Sequence, residues 1–209
     1  MAEESNNSFN DQPVLIEDNS MAQIARNVII GALVVVIAVV ATVVYLNKKQ
    51  NTEEAASAAL AEAKGPEQIQ KVADQYPRTS AGASALLLVA ATKQEKQDFA
   101  AAADLYARYL KDHPKTPFSP AAEFAKAQCL DAAGKKAEAQ SEYVSILETK
   151  PTSPYAGGAA VALAKIYRAD NNQRAAEQTL TTFLSNDLNS SFQAEASRLL
   201  VELQQNAKK

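Results

Sequence analysis

The chain has 209 residues and a formal net charge of −3, with one cysteine and one histidine. The single Cys129 excludes an intramolecular disulfide, and the single His113 leaves no basis for a histidine-containing metal cluster. Apolar residues make up 47% of the chain, but only 6% of residues are aromatic and none is Trp. Ala, Val and Leu therefore dominate, and this composition with only 6 Gly favours helices packed at close range.

Residues 28–46 form an uncharged run, VIIGALVVVIAVVATVVYL, which predicts a transmembrane helix. As a helix, these 19 residues span roughly 28 Å, close to the ~30 Å hydrocarbon core of a bilayer. A cleaved signal peptide is the alternative, but its leading tail would be basic and a small-residue cleavage site would follow it. Here residues 1–27 are acidic and predict a solvated, mostly disordered tail.

Beyond the span, residues with similar side chains recur at a step of 37. The turn columns are Pro77, Pro114, Pro151 and Leu188; Thr79, Thr116, Ser153 and Ser190; and Ala81, Phe118, Tyr155 and Phe192. The helix columns are Ala85, Ala122, Ala159 and Ala196; Ala90, Ala127 and Ala164; Ala102, Ala139 and Ala176; Tyr106, Tyr143 and Leu180; and Tyr109, Ile146 and Phe183. Such a register predicts stacked units that bury one continuous core.

Each unit predicts a hairpin of two helices, with Thr or Ser after the proline as the N-cap of the first helix. Gly134 and Asn171 stand where a helix needs a left-handed residue at its C-terminal end. The predicted first helices are 81–95, 120–133 and 155–170, the second helices 98–112, 135–149 and 172–186, and the capping helix 192–205. Connecting helices at 52–64 and 67–75 fill a region 47–76, and the repeat domain covers 77–209.

Ala127, Ala139, Tyr143 and Pro151 follow the tetratricopeptide pattern: small residues twelve apart, an aromatic four further on, and a proline eight beyond it. The chain therefore resembles tetratricopeptide repeat proteins. The resemblance implies an all-α fold in which a transmembrane helix precedes a hairpin solenoid of about three units and a capping helix. Glu123 and Lys126 depart from the pattern, since the family usually has apolar residues there.

Residues 20–150 also resemble the single-span ancillary subunit of the bacterial SecYEG translocon, and the 37-residue unit resembles Tol-Pal-associated envelope repeat proteins. These resemblances imply an inner-membrane protein with a cytoplasmic N-terminus and a periplasmic repeat domain. They imply the translocon, envelope chaperones or envelope assembly factors as partners. The positive-inside count, with Arg26 against Lys48 and Lys49, favours the opposite orientation, but long domains translocate largely regardless of charge.

The residue pattern contains no catalytic, metal or cofactor motif, so we expect no enzyme. His113 precedes Pro114 in a turn, where we expect a solvated side chain, and Cys129 is expected to be a buried small hydrophobe. From Asn47 onward 20 basic and 19 acidic residues are evenly spread, which does not provide a surface for nucleic acid.

In tetratricopeptide arrays the first helix of each hairpin lines a concave groove. By register, the resemblance places these residues in it: Leu87, Gln94, Phe124, Gln128, Asp131, Val161, Lys165 and Arg168. An apolar protein segment is the expected ligand, unless the groove is merely a partly filled inner surface. We therefore expect a membrane-anchored adaptor, with a self-associating structural scaffold as the alternative.

Overall fold

In a computed structural model of the chain, residues 19–186 and 190–206 are described. Residues 1–18 of the tail predicted at 1–27 and the repeat position Leu188 lie outside these residues, whereas residues 19–27 are helical. The chain separates into two compact units, Met1–Gln50 and Asn51–Lys209. The described residues fold into nine α-helices, which confirms the all-α class.

Helix α1, Asn19–Glu62, begins in the first unit and contains the apolar run. Within the first unit its large apolar side chains, such as Val35 and Ile37, are more than half exposed. Among the described residues, α1 is the helix that is long and apolar enough to cross a membrane. A signal sequence near an N-terminus meets the same criterion of length and composition, so the criterion identifies α1 as a candidate span.

The second unit holds the end of α1 and eight further helices, arranged as stacked hairpins. They are α2 (Pro66–Gln75), α3 (Ser80–Glu95), α4 (Phe99–Asp112), α5 (Ser119–Ala132), α6 (Lys136–Thr149), α7 (Ala156–Ala169), α8 (Gln173–Asn186) and α9 (Gln193–Asn206). The hairpins are α3–α4, α5–α6 and α7–α8, with α9 as the closing helix. The ends of α2 to α9 agree with the predicted helices to within one residue at nearly every terminus, because turn and cap residues mark the ends locally.

The turn inside each hairpin repeats one hydrogen-bond arrangement. Gln97, Gly134 and Asn171, spaced by 37 residues, all have positive φ (60°, 79° and 56°). In each turn the following N–H donates to the carbonyl five residues back, as in Lys135 N to Leu130 O at 2.9 Å. This is the left-handed helix end expected at Gly134 and Asn171. Gln97 adopts the same left-handed conformation, although glutamine is not a residue type that favours positive φ.

Alanine columns form the contacts between helices. Ala90, Ala127 and Ala164 on the first helices are fully buried, and so are Ala102, Ala139 and Ala176 on the second helices. Small side chains at these positions let the backbones of one hairpin approach closely. Larger residues of the next columns, including Tyr109, Tyr143 and Leu180, are also buried and fill the remaining space. The predicted core is therefore confirmed.

The predicted N-caps are correct only in the first hairpin. Thr79 caps α3 and its hydroxyl accepts from Gly82 N at 3.0 Å. Helices α5 and α7 begin two residues later in the register, and the capping positions are Phe118 and Tyr155, without a side-chain cap. Thr116 bonds instead to Ser119 Oγ and to Tyr109, because the Pro-rich turn extends further before the helix can start.

Two charged residues of the middle hairpin, Glu123 and Lys126, occupy positions that are buried and apolar in the neighbouring hairpins, and each forms an ion pair. Lys126 Nζ lies 2.7 Å from Glu142 Oε1, and Glu123 pairs with Lys150. The side chains of Lys126 and Glu142 are 18% and 32% exposed, so the pair is partly withdrawn from water. These pairs explain how the α5–α6 hairpin tolerates the charges at positions that are apolar in its neighbours.

Candidate binding cleft

A cleft of about 450 Å³ opens on the side of the array formed by the first helices α5, α7 and α9. Five of the eight residues predicted for the groove line this central cleft: Phe124, Gln128, Asp131, Val161 and Lys165. The structure thus brings them together on one face. The predicted residues Leu87, Gln94 and Arg168 lie outside its lining.

Phe124 forms the aromatic wall of the central cleft. Its ring centroid lies 5.6 Å from that of Tyr155 and 6.1 Å from that of Tyr143. Gly158 of α7 makes this position available, since a Cβ there would come 2.7 Å from Phe124 Cζ. Phe124 is therefore half-buried, with one part of the ring packed on the core and another facing the cleft.

The polar side of the central cleft contains Asp131 and Tyr143. No described residue forms an ion pair with the Asp131 carboxylate or a hydrogen bond with the Tyr143 hydroxyl. Burial, and secondly the Asp131 charge, raises the pKa of Tyr143 far above its ordinary value. The phenol therefore stays protonated, so this side of the cleft offers a free carboxylate and a hydroxyl that can donate or accept.

The corresponding residues of the first hairpin satisfy each other. Tyr106 donates from its hydroxyl to Gln94 Oε1 at 3.1 Å. Gln94 also lines a separate, shallow depression with Ala91, Glu95 and Phe99. Leu87 is half-buried against the core of the unit. Gln94 and Leu87, both predicted for the groove, thus have partners inside the unit: Gln94 bonds to Tyr106, and Leu87 packs on the core.

Helix α9 closes one side of the central cleft by ion pairs to α7. Lys165 Nζ lies 2.9 Å from Glu195 Oε1, and Arg168 Nη1 lies 3.0 Å from Glu202 Oε1. All four side chains are at least 37% exposed, so each pair contributes little stability, about 0–1 kcal/mol. The pairs do change the charge of this surface, because Lys165 and Arg168, the two predicted cations of α7, are each neutralised by a glutamate of α9.

The prediction omitted several lining residues, notably Tyr143, Gly158, Phe192 and Glu195. The repeat register contained a signal for the last two. A step of 37 leads from Tyr155 to Phe192 and from Gly158 to Glu195. Tyr143 gave no such signal, since its column was assigned to the core, where it also lies with 1% exposure.

A second cleft, of about 340 Å³, lies on the opposite side between α6 and α8. This outer cleft has Leu163 and Tyr167 of α7 in its lining, with Leu147, Thr179 and Phe183 around them. One repeat earlier, Lys126 stands in the register position of Leu163 and pairs with Glu142. The ion pair therefore makes the equivalent site between α4 and α6 polar.

His113 is not the solvated turn residue that was expected. Its Nε2 atom is buried without a hydrogen-bond partner among the described residues, and its ring centroid lies 5.4 Å from that of Tyr109. The turn folds back because Ser119 Oγ donates to the His113 carbonyl at 3.0 Å. Cys129 is buried as expected, and burial raises the pKa of its thiol.

No group of His, Cys, Asp and Glu side chains suited to a metal ion occurs in residues 19–186 and 190–206.

Comparison with solved structures supports the fold. The chain is similar to a tetratricopeptide repeat protein from Parabacteroides merdae ATCC 43184, with a TM-score of 0.55 and 16% sequence identity. The similarity covers 77% of this chain and 61% of that structure. No protein-family model and no curated protein sequence matches the chain. The chain thus has a tetratricopeptide-like fold.

Proposed function

We propose that this chain is a membrane-anchored adaptor of the bacterial cell envelope whose central cleft binds a segment of another protein. The observation that carries the proposal is the composition of the cleft, whose lining combines the aromatic ring of Phe124 with the unpaired carboxylate of Asp131. The translocon, envelope chaperones or assembly factors are the partner classes, by resemblance. An enzyme is not proposed.

The chemistry of the central cleft specifies the segment it fits. Phe124, Val161 and Phe192 offer apolar surface, which favours an apolar anchor residue at the centre of an interface. Lys165 is neutralised by Glu195, whereas Asp131 is unpaired, so the cleft prefers a cation beside that anchor. We therefore expect an extended or helical segment that carries an apolar side chain next to Lys or Arg.

The anchor is residues 28–46, and the array lies in the periplasm with the acidic tail in the cytoplasm. The uncharged length of the run supports the anchor, and the resemblance to the translocon subunit supports the orientation. Protease added to spheroplasts should digest the array and leave a protected tail and span, while intact cells should protect the whole chain. Protection of the array in spheroplasts would reverse the orientation.

Site-specific photo-cross-linking in intact membranes tests the cleft. A photoreactive residue in place of the exposed Gln128 should yield a cross-link to another protein, identified by mass spectrometry. A matched residue in place of the exposed Ala107 on α4 is the control, and one at Gln178 tests the outer cleft. Cross-links at Gln178 but not at Gln128 would move the binding site to the outer cleft.

A self-associating scaffold is the alternative function, and one observation on α9 favours it. Val201 stands one step of 37 after Ala164, which the second helix of its hairpin buries completely. Val201 itself is 51% exposed, with Leu200 partly buried beside it. A second copy that covers this surface would produce cross-links between copies at Val201, and self-cross-links alone at both Val201 and Gln128 would favour the scaffold.

A further inference from the structure

Phe118 is the aromatic side chain that the array leaves most exposed. In the described part of residues 51–206, the large apolar side chains classed as exposed are Leu88 (49%), Val201 (51%) and Phe118 (61%). The neighbours of Phe118 in the repeat register behave differently: Tyr155 packs on Phe124, and Phe192 lines the central cleft. Since Tyr155 and Phe192 are packed at the equivalent repeat positions, the exposure of Phe118 is specific to this turn and is not shared by the other repeats.

The topology places Phe118 at the end of the array where the chain enters it. Glu53, near the start of the unit, accepts from Ser80 N at 2.9 Å, so residue 53 lies at the first turn of α3. Helix α4 returns antiparallel to α3, and α5 therefore begins at the same end as α3. Phe118 is the residue before α5, and so lies at the end that carries the N-terminus of the unit.

The link between the apolar run and the second unit is short. The apolar run ends at Leu46 and the unit begins at Asn51, a separation of five residues. Five helical residues extend about 8 Å. This short stretch of chain tethers the start of the second unit to the end of the apolar run.

The turns at this end are basic. Residues 76–79, 113–118 and 150–155 contain Arg78, Lys115 and Lys150 and no carboxylate. Lys150 pairs with Glu123, while Arg78 and Lys115 are exposed and form no ion pair with a described residue. The turns at the opposite end, residues 96–98, 133–135 and 170–172, are neutral, since they contain two lysines and two aspartates. The turns at the tethered end are thus complementary to anionic headgroups, while the carboxylate of Glu53 at the same end accepts a hydrogen bond from Ser80 N.

We propose that this end, with Phe118, Lys115 and Arg78, docks on an anionic lipid surface. An aromatic ring in the headgroup region and unpaired cations beside anionic lipid are both favourable. Docking orients the stack of hairpins relative to the bilayer, so the central cleft faces partners at a defined height. This inference rests on the proposed membrane anchor.

The absence of tryptophan from the chain provides a direct test. The full-length variants Phe118→Trp, Leu88→Trp and Val201→Trp each contain one tryptophan, at the three exposed apolar sites. They are reconstituted into phosphatidylcholine–phosphatidylglycerol vesicles that contain phosphatidylcholine brominated on its acyl chains. We expect bromolipid to quench the Phe118→Trp variant at least about twofold and to shift its emission to the blue, because the ring is in lipid. The Leu88→Trp and Val201→Trp variants should stay close to unquenched.

Two controls distinguish a failure of the proposed membrane anchor from a failure of the proposed docking. Resistance to carbonate extraction is measured on the same vesicles: an extracted protein would overturn both the anchor and the docking. Retained protein with no more quenching in the Phe118→Trp variant than in the Val201→Trp variant would overturn the docking alone. Quenching of the Phe118→Trp variant that persists unchanged in pure phosphatidylcholine, or after Arg78→Ala with Lys115→Ala, would overturn the role of anionic lipid.

Discussion

Tyr106 donates a hydrogen bond to Gln94 across the α3–α4 hairpin, at 3.1 Å between the hydroxyl and Oε1. One repeat later the same two positions hold Tyr143 and Asp131, and no such hydrogen bond forms between them. In the third hairpin they hold Leu180, which is fully buried, and Arg168, which pairs with Glu202. The polar groups at this pair of positions therefore bond to each other in the first hairpin and lack a partner in the second. In the third hairpin the one polar residue, Arg168, pairs with α9.

The open position leads to a prediction about partner capture. Asp131→Asn removes the charge of the central cleft while keeping nearly the same volume, so we expect unfolding to be unchanged. The yield of partner cross-links at Gln128 should fall about tenfold, because an interfacial cation loses its charged hydrogen-bond acceptor. Asp104→Asn, an exposed carboxylate on α4, is the control and should leave the yield unchanged. Equal yields for both variants would remove Asp131 from the binding site.

Phe124 cannot serve alone as a clean binding probe, since its ring also packs on Tyr143 and Tyr155. Phe124→Ala, or Phe124→Ala with Leu87→Ala, should therefore lower both capture and stability.

The alanine contact inside the middle hairpin predicts a strong steric effect. Ala127→Leu and Ala139→Leu each insert a large side chain where exposure is zero, and should lower the free energy of unfolding by about 1–3 kcal/mol. Ala137→Leu on the exposed side of α6 should change it by less than about 0.5 kcal/mol. Urea titrations followed by circular dichroism measure the three values. Similar values for Ala137 and Ala139 would contradict the close helix contact.

Two of the hairpin turns predict substitutions whose effects on stability have opposite signs. Gly134 has φ of 79° and open space around an added Cβ, so Gly134→Ala should cost about 1 kcal/mol from backbone strain alone. Gln97 has φ of 60°, and Gln97→Gly should raise stability, by less than about 1 kcal/mol because glycine also loosens the unfolded chain. Melting temperatures of the two variants check the signs, and a stabilised Gly134→Ala protein would refute the left-handed turn.

The half-buried pair Lys126–Glu142 predicts that apolar replacement is tolerated. The first hairpin has Val89 and Leu105 at the same positions. Copying it with Lys126→Val and Glu142→Leu together should leave stability unchanged or raise it by about 1–2 kcal/mol, because two charges no longer need desolvation. Lys126→Val alone should be less stable than the double variant, since Glu142 then loses its cation. Urea unfolding of the wild type, the two single variants and the double variant measures the four stabilities. A double variant less stable than either single variant would contradict the prediction.

Stability should fall at high pH because of Tyr143. Its pKa is raised in the folded chain, whereas in the unfolded chain it is close to the ordinary value of about 10. The raised pKa means that the folded state keeps the proton longer. Its contribution is therefore complete below pH ~10 and is lost as the pH rises above that value. Tyr143→Phe should make the loss of unfolding free energy between about pH 10 and 11.5 shallower.

The helices of the array, their ends and the buried columns follow from local sequence patterns. A helix buries residues by their spacing along one chain, so identical steps of 37 from Ala90 to Ala164 and from Ala102 to Ala176 specify equivalent environments. Gly134 and Asn171 marked helix ends for an equally local reason, the preference for positive φ. The face that holds Phe124, Gln128 and Asp131 followed from the same register.

Contacts between helices, in contrast, establish which polar groups of that face remain unpaired and which aromatic rings are exposed. Lys165 and Arg168 are matched by glutamates of α9, about 30 residues further along the chain, and Gln94 is matched by Tyr106. Phe118 and Tyr155 belong to one column, yet one is 61% exposed and the other packs on Phe124. Such outcomes depend on the distances between individual side chains of different helices, which the spacing of residues along the chain does not specify.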